Sequence, residues 1–360
     1  MRQNYSWGRL RISEEIGRKL FTSLMVHPSF LAVVHLFGEK TEPVEESLSV
    51  YFCHPLSQYR PKSQEIPPFM NGGYVVGYNL KYAARHGRSF LEDPFSVRDA
   101  GLFQFYAKGS HTVERCNWIF INLPETLEQR LAEVLKDAEG IECDLQFQIN
   151  AMVLLDATKD WKIYVNFLEE FFRRLLEVGF YTKVDGPTNS GDINADFSDI
   201  RKLQLFTDKL RGLHQSIRLN LDLGAGLQQS MNDMGKTSDM TSSARSSALE
   251  SFNSQMNMFI WQHRTHLGRI ESLIARAQGV SSLIQSILDI RTADSSTRIN
   301  SAVHDITEQG MEENKLIKRL THQSTQDTRA MKVIAFISAI FLPSTFVAVG
   351  LQWWYFRRQR

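Results

Sequence analysis

The chain has 360 residues, 22% of them charged, and 41 basic against 40 acidic side chains leave a formal charge of +1. That balance excludes the basic field on which nucleic-acid binding depends, and the charge content excludes a chain built mainly of membrane spans. Three cysteines, Cys53, Cys116 and Cys143, stand far apart with no CxxC pair, which excludes a disulfide framework and a zinc knuckle.

The opening stretch, MRQNYSWGRLRISEEIGRKL, carries charges throughout and lacks the apolar core of a secretory signal, so the bulk of the chain is expected in the cytosol. LAVVHLF (31–37), LSVYFC (48–53), GYVVGYNL (73–80), GLFQFYAK (101–108) and NWIFIN (117–122) are short apolar or alternating runs bounded by Pro, Gly and Asn. They predict strands, and together a sheet. Asn122 is placed to cap the helix LPETLEQRLAEVLKDAE, with Pro124 in its first turn and Glu125 closing a capping box. Residues 145–180 are apolar on most faces and predict a buried helix or helical hairpin. NSGDINAD (189–196) reads as a linker.

Nine of the ten prolines lie at or before Pro187 and the next is Pro343. A proline inside a helix removes a hydrogen bond and clashes with the preceding turn, so this long proline-free stretch predicts long helices. The first begins at Phe197. A polar, serine-rich stretch (230–251) predicts a loop or a weakly held helix start, and a second helix covers 261–291. A third run from Ser296 continues into the apolar tail, with Ile299, Val303, Ile306, Gly310, Ile317, Leu320, Ser324, Met331, Ile334, Ser338, Phe341 and Thr345 at three-four spacing. That seam predicts coiled-coil association and a homo-oligomer.

Residues 333–356 are 24 positions without a formal charge. As a helix they extend about 36 Å, enough for a hydrocarbon core of about 30 Å. Trp353, Trp354 and Tyr355 form an interfacial belt, and Arg357 and Arg358, with Arg360, anchor the end among headgroups. The lipid bilayer is therefore an expected partner. Basic residues on the two flanks balance, so orientation and the identity of the membrane are left open; a buried hairpin in a soluble core is the alternative. The layout is a domain over 1–190, a helical stalk region over 191–332 with a polar loop near 230–251, a transmembrane helix over 333–356 and a basic tail over 357–360.

Other constellations carry less chemistry. His263 and His266 have metal-ligand spacing but no third ligand nearby, and are expected to be solvated. His27 and His35 flank the first apolar run and read as structural. LDLGAGLQQ (221–229) lacks the strand and lysine of a phosphate loop. KDAEGIECD (136–144) and the trio Glu308, Glu312 and Glu313 are candidates for a regulatory Mg²⁺ site, with a solvated face as the alternative. No tightly bound cofactor is expected. Nucleophiles and carboxylates show no catalytic spacing, so no enzyme is expected.

DTRAMKVIAFISAIFLPSTFVA (327–348) resembles the first transmembrane helix of CorA-type magnesium transporters and the turn feeding it, with Met331-Lys332, Phe341-Leu342-Pro343 and Thr345-Phe346 at the family's spacing. DPFSVRDAGLFQFY (93–106), NWIFINLPETLEQRLAEVL (117–135), WKIYVNFLEEFF and SLIARAQGVSSLIQSILDIR (272–291) are similar, in order, to segments of the divergent fungal branch. The resemblance implies an α+β cytosolic domain, long helices, a C-terminal transmembrane helix and a pentamer around a path for Mg²⁺. It makes Thr328, Met331, Ser338, Leu342, Thr345 and Gln352 candidate pore-lining residues, with Leu342 or Met331 as a hydrophobic constriction. A hydrated divalent ion gives up water reluctantly and suits rings of oxygen dipoles. For each hydroxyl the competing reading is a bond to its own helix backbone.

The family's Gly-Met-Asn motif would fall on Gln352, Trp353 and Trp354, none of which matches. No second span follows, so the expectation is a transporter subunit truncated after its first transmembrane helix, impaired as written or active beside complete relatives. The alternative is a tail-anchored membrane protein whose cytosolic helical module binds partners without transport.

Overall fold

A computed structural model describes residues 1–3, 8–40, 48–56, 70–88, 92–109, 114–137, 145–186, 192–237 and 243–359. The N-terminal unit, Met1–Ser286, is α+β. Its sheet is an antiparallel meander of β1 (Tyr51–Pro55), β2 (Met70–Arg85), β3 (Phe95–Gly109) and β4 (Glu114–Ile121), in that spatial order. Both faces of the sheet are covered, which is why the strands read as nearly continuous apolar runs. One face buries Val75, Phe103, Phe105, Ile119 and Ile121 with Phe52 under the short helices α1 (Glu14–Ser23) and α2 (Phe30–His35). The other buries Tyr74, Val76, Tyr78, Leu80 and Leu102 under α3 (Glu125–Asp137), α4 (Leu145–Thr158) and parts of α6 (Phe197–Thr237) and α7 (Ser243–Arg357).

LAVVHLF is helical rather than a strand. The helix α2 starts at Phe30, and Phe30 and Val33, with Phe37 in the turn that follows, are the buried positions laid on the sheet, while His35 is exposed. Nor does Asn122 cap α3. It has φ of 56°, and its side-chain amide donates to the Asp99 carbonyl at 3.1 Å while its backbone N–H donates to the Met1 carbonyl at 2.8 Å. These bonds tie the strand end to the N-terminus, and the first α3 carbonyl to accept is that of Pro124, from Leu127 and Glu128.

The 145–180 segment forms the hairpin α4 and α5 (Trp161–Tyr181). Its burial involves a polar chain. The Tyr78 hydroxyl donates to Asn150 Oδ1 at 3.0 Å, Asn150 Nδ2 donates to Gln104 Oε1 at 2.7 Å, and the Tyr74 hydroxyl donates to Gln146 Oε1 at 2.5 Å. Buried amides that satisfy one another avoid the desolvation cost of an orphaned polar group.

LDLGAGLQQ lies inside α6. Gly224 lets the Phe259 ring reach the helix backbone, since a Cβ there would sit 2.6 Å from Phe259 Cε1, and the Gly226 carbonyl accepts the Tyr51 hydroxyl at 3.0 Å. Helix extends to Thr237 and resumes at Ser243, with 238–242 outside the described residues. The two later helices expected from Trp261 and Ser296 are one continuous helix, because nothing in TADSS breaks an α-helix.

Within the N-terminal unit the buried positions of α7 are Phe252, Met256, Phe259, His263, His266, Ile270, Leu273, Ala277, Val280 and Ile284. This four-three stride packs one stripe against α5 and α6. Gly179 of α5 admits Val280, where a Cβ would lie 2.6 Å from Cγ1. Asn232 and Asn253 exchange two amide bonds at 3.1 and 2.8 Å, Gln228 donates to Asn257 at 3.0 Å, and His214 meets Glu271 at 2.9 Å, fixing α6 antiparallel to α7.

Candidate functional site

The second unit, Ile287–Arg360, is helical to Arg357 and belongs to α7. It contains the one stretch of the described residues that is long and apolar enough to cross a membrane, and no part of its most apolar window is buried within the chain. Ile334, Phe336, Ile340, Phe341 and Phe346 are all more than half exposed. Such a surface is stable only when lipid or other protein covers it.

Five of the six candidate pore residues share a face of this helix. At about 100° per residue, Met331, Ser338, Leu342, Thr345 and Gln352 fall within roughly 80°, and Thr328 lies about 40° beyond Leu342. The two threonine hydroxyls bond to the helix backbone. Thr328 Oγ1 donates to the Ser324 carbonyl at 2.6 Å, and Thr345 Oγ1 lies 3.0 Å from the carbonyls of both Phe341 and Leu342. A hydroxyl whose proton points into the helix still presents its oxygen lone pairs outward.

Pro343 sits inside the helix and lacks the N–H that would bond the Ala339 carbonyl. The adjacent Ser344 Oγ donates to the Ile340 carbonyl at 2.9 Å, and Thr345 Oγ1 lies within reach of the next two carbonyls, so side-chain donors add bonds in the turn beside the proline. At the far end, the Arg358 guanidinium lies over the Trp354 ring at 4.9 Å, a cation–π pair. Trp353, Trp354, Tyr355, Arg357 and Arg358 are all exposed.

Glu308, Glu312 and Glu313 are exposed on α7. Glu308 and Glu312 are one turn apart, and Glu313 points about 100° away from Glu312. Among the described residues no group of three or more His, Cys, Asp or Glu side chains is arranged to hold a metal ion. Of KDAEGIECD, residues 138–144 lie outside the described residues. A recess of about 220 Å³ between α6 and α7 is lined by Arg211, His214, Glu271, Ile274, Ala275 and Gln278.

His263 and His266 are not solvated. They are 1% and 9% exposed, in the buried stripe of α7. Burial pushes His263 down to about 4, and burial followed by the nearby Arg269 and Lys162 lowers His266. The signal was present in the stride: 252, 256, 259, 263, 266 and 270 keep a four-three rhythm in which the two histidines occupy core positions. His27 is half-buried, its ring tilted 41° against that of His54 with centroids 4.8 Å apart, a partner that sequence separation conceals.

Residues 1–178 match the family model described as CorA-like transporters. The match spans α1 to α4, the whole sheet and most of α5, and it ends before α6. Among solved structures, the cytoplasmic domain of ZntB from Vibrio parahaemolyticus RIMD 2210633 is similar at 11% identity, with a TM-score of 0.32 and coverage of 75% of this chain and 84% of that chain. No curated protein matches this chain.

Proposed function

We propose, on the match of residues 1–178 to the model of CorA-like transporters, that this chain is a subunit of a divalent-cation transporter with Mg²⁺ as its cargo. In this reading residues 333–356 cross the bilayer, the preceding bulk is cytosolic, and five copies surround the ion path. Thr328, Met331, Ser338, Leu342, Thr345 and Gln352 face that path, with Leu342 or Met331 as its dry constriction.

The observation that carries the reading is the fully exposed apolar segment of α7, whose shared face holds outward-facing hydroxyl oxygens. A ring of such oxygens contacts a hydrated Mg²⁺ without stripping its water, which its high dehydration cost favours. Glu308 and Glu312, repeated around a ring, supply carboxylates for a regulatory Mg²⁺ between subunits.

One observation favours a second reading, a membrane-anchored interaction module without transport. Trp353 and Trp354 occupy the turn where a cation needs acceptor oxygens, and an indole offers only a donor N–H. The two are separated by Mg²⁺ entry into vesicles carrying the protein and enclosing a magnesium-sensitive dye. Transport predicts entry that falls at least about tenfold in Thr345→Leu at equal protein incorporation. Entry no faster than in empty vesicles overturns the transporter reading.

A further inference from the structure

The described core contains two polar groups that its packing does not satisfy. His263 Nε2 and His266 Nδ1 are buried without a hydrogen-bond partner. His263 Nδ1 lies 2.9 Å from the Phe259 carbonyl, which can only accept, so this nitrogen carries the proton and Nε2 is left as a dry lone pair. The ring packs tilted on Phe259 with centroids 4.0 Å apart, and its centroid lies 6.5 Å from that of His266. Phe259 in turn rests on the α6 backbone at Gly224.

We propose that the His263–His266 layer is a proton-sensitive latch that holds α7 against α5 and α6 when both imidazoles are neutral and loosens this contact when they take up protons. The incoming proton on His263 can go only to Nε2, where no acceptor awaits it. On His266 the second proton likewise leaves a buried donor at Nδ1. The charges around the pair make matters worse. On α7 itself, His266 acts on His263 and Arg269 acts on His266, and on α5 the nearby charge is Lys162. The α5 carboxylate at hand, Glu169, is committed to Arg269 at 2.7 Å. On α6 the buried Ser216 and Asn220 are neutral, and they donate to the Gly212 carbonyl at 3.0 Å and the Lys81 carbonyl at 2.6 Å. A cation in this layer therefore meets cations and orphaned donors, and an unoccupied lone pair there costs less than a buried charge.

The sign follows. Both histidines resist protonation when packed, so the packed state binds fewer protons than the loosened one. The contact is fully present above the ordinary histidine value of about 6.5 and weakens as pH falls from there toward about 4. Between pH 7.5 and 5.5, one such group raises the opening equilibrium about tenfold.

Hydrogen exchange of the full chain in lipid nanodiscs, corrected for the intrinsic effect of pH, tests this. Peptides within 252–270 are expected to lose protection about tenfold at pH 5.5, while α4 peptides do not change. The double variant His263→Leu/His266→Leu, with apolar side chains at core positions, is expected to lose that pH response. His266→Asn, which removes the more accessible imidazole, is expected to reduce it should the double variant fold poorly. Equal protection of the wild type at both pH values overturns the proposal. So does an undiminished pH response in whichever variant folds, which would assign the effect to carboxylates elsewhere. The test is independent of transport.

Discussion

Asn220 of α6 substitutes for a missing piece of sheet. Strand β1 starts at Tyr51, opposite Tyr78, and Val50 pairs once more with Asn79 by accepting its N–H at 3.1 Å. Two residues on, Lys81 points its N–H and carbonyl toward the same side, where no strand remains. The Asn220 amide takes both: Oδ1 accepts from Lys81 N at 2.9 Å and Nδ2 donates to Lys81 O at 2.6 Å. Trp161 Nε1 gives that carbonyl a second, longer bond of 3.3 Å. Asn220 is 1% exposed, so in Asn220→Ala no bulk water replaces the amide. The carbonyl keeps Trp161, but the N–H is orphaned. With about 1 kcal/mol for each lost bond and about 1–3 kcal/mol for a buried unsatisfied donor, partly overlapping, the expected loss is about 2–4 kcal/mol. Asn220→Asp retains the acceptor for Lys81 N but sets a carboxylate oxygen against the Lys81 carbonyl, so it is expected to lose at least as much. Pulse proteolysis of the full chain in urea, scoring cleavage of the N-terminal unit, measures both. An Asn220→Ala variant within about 0.5 kcal/mol of wild type would refute the view that this amide completes the sheet.

Three other outcomes follow from the same structure. Gly224→Val pushes a branched side chain into the Phe259 ring and is expected to cost about 2 kcal/mol or more, whereas Gly268→Ala, with nothing within 4 Å of the new Cβ, is expected to stabilise by about 0.5–1 kcal/mol; urea midpoints of the two variants compare them. Burial pushes the Cys53 thiol up to about 12, so at pH 8 only about one in 10⁴ molecules carries the thiolate there; alkylation of Cys53 should run about 10³-fold slower in the folded protein than in urea, as peptide mass spectrometry would reveal. The full chain is expected to stay with membranes through alkaline carbonate extraction and deletion of 331–360 to release it. A full-length chain soluble without detergent contradicts the span.

Local pattern carried much of the architecture. The β2, β3 and β4 runs were legible because Gly, Pro and Asn bound them and because strands covered on both faces need apolar side chains at successive positions. The α4–α5 hairpin was legible for a similar reason, since a segment buried on most sides is apolar on most sides. Phe30, Val33 and Phe37 misled the reading of α2 because a seven-residue apolar run fits both periods, and only the neighbouring sheet selects the helical one. Asn122 had the residue type and spacing of a cap, yet bonds to the Asp99 and Met1 carbonyls, distant in sequence, hold it at a φ of 56° instead of the extended backbone of a cap.

What the sequence determined by itself is therefore what one segment can decide alone: the uncharged length of 333–356, its aromatic and basic end, the strands, and the long proline-free helices. Hydrophobicity, chain stiffness and the proline constraint act within a few turns of the residues that carry them. What only the tertiary structure decided is where polar groups find partners. Asn220 completes a strand 139 residues away, Tyr78 reaches Asn150, and His263 and His266 lie in a dry stripe instead of in water. The reason is physical: a hydrogen bond or a desolvation penalty depends on what the fold brings within about 3 Å, and no spacing along the chain encodes that distance.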